Sequence, residues 1–201
     1  MYGLVIRPHE LGRGALDADS RSSWGRVQEG GISDGFVIRP HGCPCGFLGH
    51  PKKDCHCTPR QVRNYLSKIS GPLLDRIDIH VEVPAIEYHE LRSGLAGESS
   101  VSIREQIVRA RAMQTERFQG LKVNFNAHMS TRHLKKFCAL DAEAEAVLEL
   151  AMQELALSAR AHHKIIRVAR TIADLEGAQS ITAAHLSEAV QYRNLDRQMW
   201  M

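Results

Sequence analysis

The stretch CPCGFLGHPKKDCHCTPRQVRNYLSKISGPLLDRIDIHVEVP, residues 43–84, decides how the chain is read. It opens with four of the chain's five cysteines, set as two C-x-C pairs within fifteen residues. Zinc takes four soft or borderline ligands in a tetrahedron, and thiolates suit it. Cys43, Cys45, Cys55 and Cys57 supply four, with His50 and His56 as alternative ligands. Gly46, Gly49 and Pro51 let the chain turn back between the pairs. The commoner ligand spacing is C-x2-C, so three readings stand: a zinc site, inert thiols that only pack, or a redox device. If zinc is held, four protein ligands leave no open position, which makes the site structural.

After the cysteines the punctuation is clear. Thr58-Pro59-Arg60-Gln61 is a capping box with proline at the first helical position, which predicts a helix carrying Val62, Tyr65, Leu66 and Ile69 on one side. Ser70-Gly71-Pro72 stops it. Ile77 to Val83 then alternates apolar and polar residues, which predicts a strand with one buried face, ended by Pro84. Arg76 stands at the mouth of that strand behind a Gly-Pro turn. A planar guanidinium there suits phosphate oxygens, whereas spacing alone favours a surface ion pair with Asp75 or Asp78.

Downstream the chain reads as helices. A short one is expected over Glu87–Leu91, before the loop SGLAGESS. Ser102 with Glu105 predicts a capped, basic, amphipathic helix closing at Gly120. Further helices are expected from Ser130, from Asp141 to about Leu155, from Ser158 to Leu175 before Gly177, and after Thr182. In the helix from Ser158, Ile165, Val168, Ile172 and Leu175 recur at helical spacing, and in the last Leu186, Ala189 and Val190 point inward. Arg160, Lys164 and Arg167 share a face near a helix N-terminus, where phosphate is favoured; on spacing alone they form a solvated basic stripe. His162 and His163 read as surface residues, and Cys138 and the methionines as core.

Upstream, residues 1–42 are rich in Gly, Arg, Ser and Asp, without a sustained period. One feature stands out: GLVIRPH at Gly3–His9 returns as GFVIRPH at Gly35–His41, six of seven positions matching. The DADSRSSWGRVQEGG between them cannot build an apolar face. A duplicated piece of coding DNA, or a joint between reading frames, fits better than a structural repeat.

Composition agrees with a soluble globular protein: 43% apolar and 24% charged residues, with net charge +3. That charge permits contact with a polyanion without arguing for it. No apolar run is long enough to span a membrane, and the N-terminus lacks the pattern of a secretory signal. The cysteines are therefore expected in a reducing cytosol. The chain contains no G-x-x-x-x-G-K-[ST] loop and no H-E-x-x-H pattern.

Taken together, the quoted stretch and the tail SARAHHKIIRVARTIADLEG…ITAAHLSEAVQYR resemble the Mg-chelatase-like AAA+ ATPases of the ComM/YifB type, over residues 43 to about 195. The resemblance implies a cytoplasmic ATPase that uses ATP and Mg2+, assembles as a ring, expected to be a hexamer, and promotes DNA branch migration during natural transformation. It matches Arg76 in LLDRID to the arginine finger that reaches a neighbouring subunit's ATP. It matches Arg160 in S-A-R to the lid arginine, sensor two. Relatives carry Asn-Pro before CPCG, where this chain has His41 and Gly42. The resulting expectation is an α+β, mostly α chain in three parts. Residues 1–42 form an unrelated, disordered leader, residues 43–100 a remnant of the AAA+ α/β core, and residues 101–201 a helical lid bundle. Such a C-terminal part, without Walker A and Walker B motifs, is expected to be inactive alone and to bind ATP poorly. The alternative is a stand-alone, zinc-stabilised module binding DNA or a full-length relative.

Overall fold

The computed structural model describes residues 2–6, 24–27, 35–38, 42–50, 52–68, 75–82, 92 and 97–193. The chain is α+β and mostly helical. It forms two compact units, the first ending its main run at Arg92 and the second running from Ser93 to Asn194.

The first unit holds a four-stranded antiparallel sheet. Its strands are β1 (Tyr2–Ile6), β2 (Trp24–Val27), β3 (Gly35–Ile38) and β4 (Ile79–Glu82), in the order β2-β3-β1-β4. Three of these strands fall within residues 1–42. The YGLVI and GFVI runs are rich in β-formers, and pairing satisfies their backbone groups. β1 and β3 are the two copies of the repeat. They pair with Leu4 opposite Ile38, Val5 opposite Val37 and Ile6 opposite Phe36. Val5 and Val37 occupy equivalent places in the two copies, so the repeat pairs with itself about a local two-fold axis.

Helix α1 (Pro59–Leu66) starts as the sequence predicts. The Thr58 side chain accepts from the Gln61 N–H, and the Gln61 side chain accepts from the Thr58 N–H at 2.8 Å. Its expected stop at Ser70-Gly71-Pro72, the end of the strand at Pro84 and the short helix at Glu87–Leu91 lie outside the described residues. Burial in and before β4 does not follow the apolar alternation alone, although Ile77 is fully buried and Ile79 half-buried on that side. His80 is buried, whereas Val81 is 39% exposed. The strand lies at the sheet edge beyond β1, and among the described residues no second layer covers Val81.

The second unit is a bundle of α2 (Ser100–Arg117), α3 (Thr131–Phe137), α4 (Ala142–Glu154), α5 (Ala159–Glu176) and α6 (Ala183–Gln191). α2 is capped three residues before the predicted position: Ser99 accepts from the Ser102 N–H, and the Ser102 hydroxyl instead donates to Glu98 at 2.7 Å. The other caps fall where expected, on Ser130, Asp141, Ser158 and Thr182. Gly177 ends α5 at φ 77°, a left-handed conformation that glycine adopts without steric cost. The core gathers Phe118, Met129, Leu134, Cys138, Leu148, Ile165, Ile172 and Leu186 around α5. Cys138 Sγ lies 3.9 Å from Met129 Sδ, as packing rather than chemistry.

Candidate metal centre and arginine sites

The cysteine loop folds so that its two pairs meet. The Gly46 N–H bonds the Cys43 carbonyl at 3.1 Å, a turn that Gly46 completes at φ 80°. A second turn places the His50 N–H on the Phe47 carbonyl at 3.1 Å. Cys43 and Cys45 Sγ are 3.3 Å apart, and Cys55 Sγ lies 3.6 Å from each. Cys57 completes the group, all four sulfurs lying within 4.8 Å of one another. All four are free thiols, so the contacts are not disulfides.

These spacings fit one tetrahedral ion, because a Zn–S bond of about 2.3 Å gives sulfur edges of about 3.8 Å. The donor set suits zinc or iron over a hard cation. The two histidines do not join it: His50 Nδ1 accepts the Lys52 N–H at 3.1 Å, and His56 is exposed outside the sulfur group. Phe47 and His50 meet edge to face, with the Lys53 ammonium 4.9 Å from the Phe47 ring. Thiol acidity is uneven. The Phe47 backbone and then the Cys43 thiol hold Cys45 down to about 6. At Cys55 the Cys57 backbone favours the thiolate, but burial and the neighbouring thiols outweigh it and push the group up to about 12. Since a metal binds the deprotonated set, loading the site releases protons.

Arg76 is exposed, in a short helical turn immediately before Ile77, which is fully buried and anchors the approach to β4. Arg160 is exposed in the first turn of α5, just after the Ser158 cap. Arg76 belongs to the first unit and Arg160 to the second.

The expected basic stripe behind Arg160 does not form. Lys164 is only 2% exposed, and the half-buried Arg167 donates to the Met129 carbonyl at 2.5 Å. Both face the bundle because α5 is packed on several sides. His162 and His163 are half-buried rather than surface residues, their rings edge to face at 5.5 Å.

Sequence reasoning missed a buried polar cluster. Asp174 receives both terminal nitrogens of Arg117, at 2.5 and 2.7 Å, and the Arg170 Nε at 3.1 Å. Asn126 donates to it at 2.7 Å and accepts from Arg117 at 3.0 Å. Arg170 also donates to the carbonyls of Ala178 and Gln179, beyond the end of α5. The i,i+4 spacing of Arg170 and Asp174 was a usable local signal; the partner 57 residues away had none.

Comparison with known proteins places these features. Residues 35–91 match the family described as magnesium chelatase, subunit ChlI, and residues 97–193 its C-terminal family. The first match begins eight residues before Cys43, so β3 lies inside it and the likeness starts earlier than the cysteines. The chain is 40% identical over 141 residues to the competence protein ComM of Haemophilus influenzae, covering 70% of this chain and 27% of that protein. It is 39% identical over 142 residues to the uncharacterized protein YifB of Escherichia coli, with the same coverage. It is 32% identical over 162 residues to an uncharacterized protein of Mycobacterium bovis, covering 79% of this chain and 31% of that protein. The chain thus spans about a quarter to a third of the length of these relatives. With its cysteine loop and helical bundle falling inside the two matches, the chain belongs to the Mg-chelatase-like family, in its ComM and YifB type.

Proposed function

We propose that the chain acts as the lid-bearing C-terminal part of a ComM-type AAA+ ATPase, a ring-forming, cytoplasmic DNA motor. In this reading Arg76 is an arginine finger acting in trans, neutralising the charge that builds on the transferred phosphoryl group of a neighbour's ATP. Arg160 reads the γ-phosphate within its own subunit, where the α5 N-terminus adds a favourable field. Zinc held by Cys43, Cys45, Cys55 and Cys57 fixes the loop that leads into α1. ATP and Mg2+ would be bound mainly by sequence that this chain does not contain.

The observation that carries the reading is an exposed Arg76 directly joined to a fully buried Ile77. A guanidinium on a fixed base loses less freedom on meeting a phosphate. The purified chain alone is expected not to hydrolyse ATP. Added to a ComM-type relative whose own finger arginine has been removed, it is expected to raise hydrolysis by about tenfold or more, the sense expected of an arginine supplied in trans. Arg76→Ala is expected to abolish that rescue. Robust hydrolysis by the chain alone, or rescue that survives Arg76→Ala, would sink the proposal.

A second reading is favoured by the gathered thiols and the self-contained core of the bundle: a stand-alone, zinc-stabilised module that binds DNA. It requires a monomer with salt-sensitive DNA affinity. Those two measurements separate it from the first reading.

A further inference from the structure

Charge is sharply divided along the middle of the helical unit. From Arg117 to Leu140 the chain has five Lys or Arg residues and no carboxylate; from Asp141 to Glu154 it has five carboxylates and no Lys or Arg. On α3, Arg132, Lys135 and Lys136 are exposed at helical spacing, with Leu134 buried beneath them. On α4, Ala144, Leu148 and Ala151 face the core, while Glu143, Glu145, Glu149 and Glu154 are exposed. The acidic face has an exposed apolar residue within it: Leu150, 59% exposed, next to Glu149 on α4. Among the described residues no ion pair joins α3 to α4, so the two faces do not neutralise each other within the chain.

From this we infer that the α3 face of one copy docks on the α4 face of the next, head to tail, as a helical-domain contact between neighbouring copies. The same chain carries a basic surface and its acidic complement. A contact between two different patches is heterologous and repeats around a ring when its rotation closes. Opposite fields of this kind steer approach and set register, with Leu150 as an apolar point within the acidic face. A nucleic acid would also attract α3, but it is uniformly anionic and offers nothing to the five carboxylates a few residues away, whereas a second copy carries a basic face for that acidic one as well. The choice of a second copy as partner rests on the oligomeric reading above; the surfaces themselves do not.

The test is sedimentation of the full chain without nucleotide, so that loss of the arginine-finger reading would leave it standing. The parent is expected to self-associate, less so as salt rises. Lys135→Glu with Lys136→Glu, and separately Glu145→Lys with Glu149→Lys, are each expected to weaken that association at least about tenfold. All four positions are exposed, and unchanged helical circular dichroism checks that each variant folds. An equimolar mixture of the two variants is expected to associate again, because each supplies the charge the other lacks. Unaltered association in either variant, or no recovery on mixing, overturns the inference. So does loss of DNA-oligonucleotide binding in the Lys variant with self-association intact, which would assign the basic face to a polyanion.

Discussion

Arg117 at the end of α2 grips Asp174 on α5 with both terminal nitrogens, and the Asp174 side chain is entirely shielded from solvent. One carboxylate serves two guanidiniums, because Arg170 reaches the same oxygen from one turn earlier. Asn126, just after α2, supplies a further donor. The cluster therefore joins α2, the turn at Asn126–His128 and α5 through directional bonds, where apolar packing alone would leave the helices free to slide. Burial works against the Arg170 charge, and Asp174 works for it.

Asp174→Ala should consequently be severe. It leaves two guanidiniums in a low-dielectric site without their counter-ion, and removing one partner of a buried pair costs about 3–5 kcal/mol. Asp174→Asn keeps the shape and one acceptor and should cost less. Urea unfolding followed by helical circular dichroism measures both. A loss below about 1 kcal/mol for Asp174→Ala would place the cluster among ordinary exposed pairs.

The thiol group makes a prediction about composition. The chain purified without chelator should carry one zinc ion, and Cys43→Ser should lose it, while Cys138→Ser, buried in the other unit, should not. Chelation should loosen the loop and α1, because binding energy at such sites is folding energy. Helices α2 to α6 should keep their circular dichroism. Zinc well below one per chain would leave the inert-thiol reading in place.

Much of this was legible locally. Thr58, Ser130, Asp141, Ser158 and Thr182 announce helix starts because a capping side chain bonds within three residues of itself, and Gly177 marks a stop for a reason intrinsic to glycine. The cysteines could be grouped because a shared metal ion would require them to meet. What escaped depends on distant partners. Lys164 and Arg167 look solvated in sequence, and only the packing around α5 takes them inward. The pairing of Tyr2–Ile6 with Gly35–Ile38 needs knowledge of which strands become neighbours, which an apolar run of four residues does not carry. Ser102 and Glu105 imitate a capping box, yet the cap is Ser99, three residues earlier, which accepts the Ser102 N–H.

A pH dependence follows from the histidine pair. Burial, then the neighbouring His163, holds the His162 imidazole below its usual range. A base with a lowered folded value takes up its proton more readily when unfolded, so the unfolded state binds more protons in that window and stability rises with pH. The contribution is fully present above about pH 6.5 and is lost as pH falls through the lowered folded value. Urea midpoints should therefore fall from about pH 7 to about pH 5. His162→Gln should flatten this slope and His163→Gln should flatten it in part. A slope unchanged by His162→Gln would assign the effect to other groups.

Two leucines near the C-terminal end of the bundle test whether burial, rather than residue type, sets the cost of truncation. Leu186 on α6 is fully buried within the core, whereas Leu175, one residue from the end of α5, is 41% exposed. The sequence placed both on inward stripes. Leu186→Ala removes buried carbons and leaves a cavity among close-packed neighbours, a change that costs about 2–5 kcal/mol. Leu175→Ala opens no enclosed cavity, since water already reaches the side chain, and alanine is the better helix former. It should stay within about 0.5 kcal/mol of the parent, as surface substitutions usually do. Equal losses at the two positions would mean that Leu175 is covered by a partner in solution, and the exposed surface of α5 would then have to be counted among the interfaces.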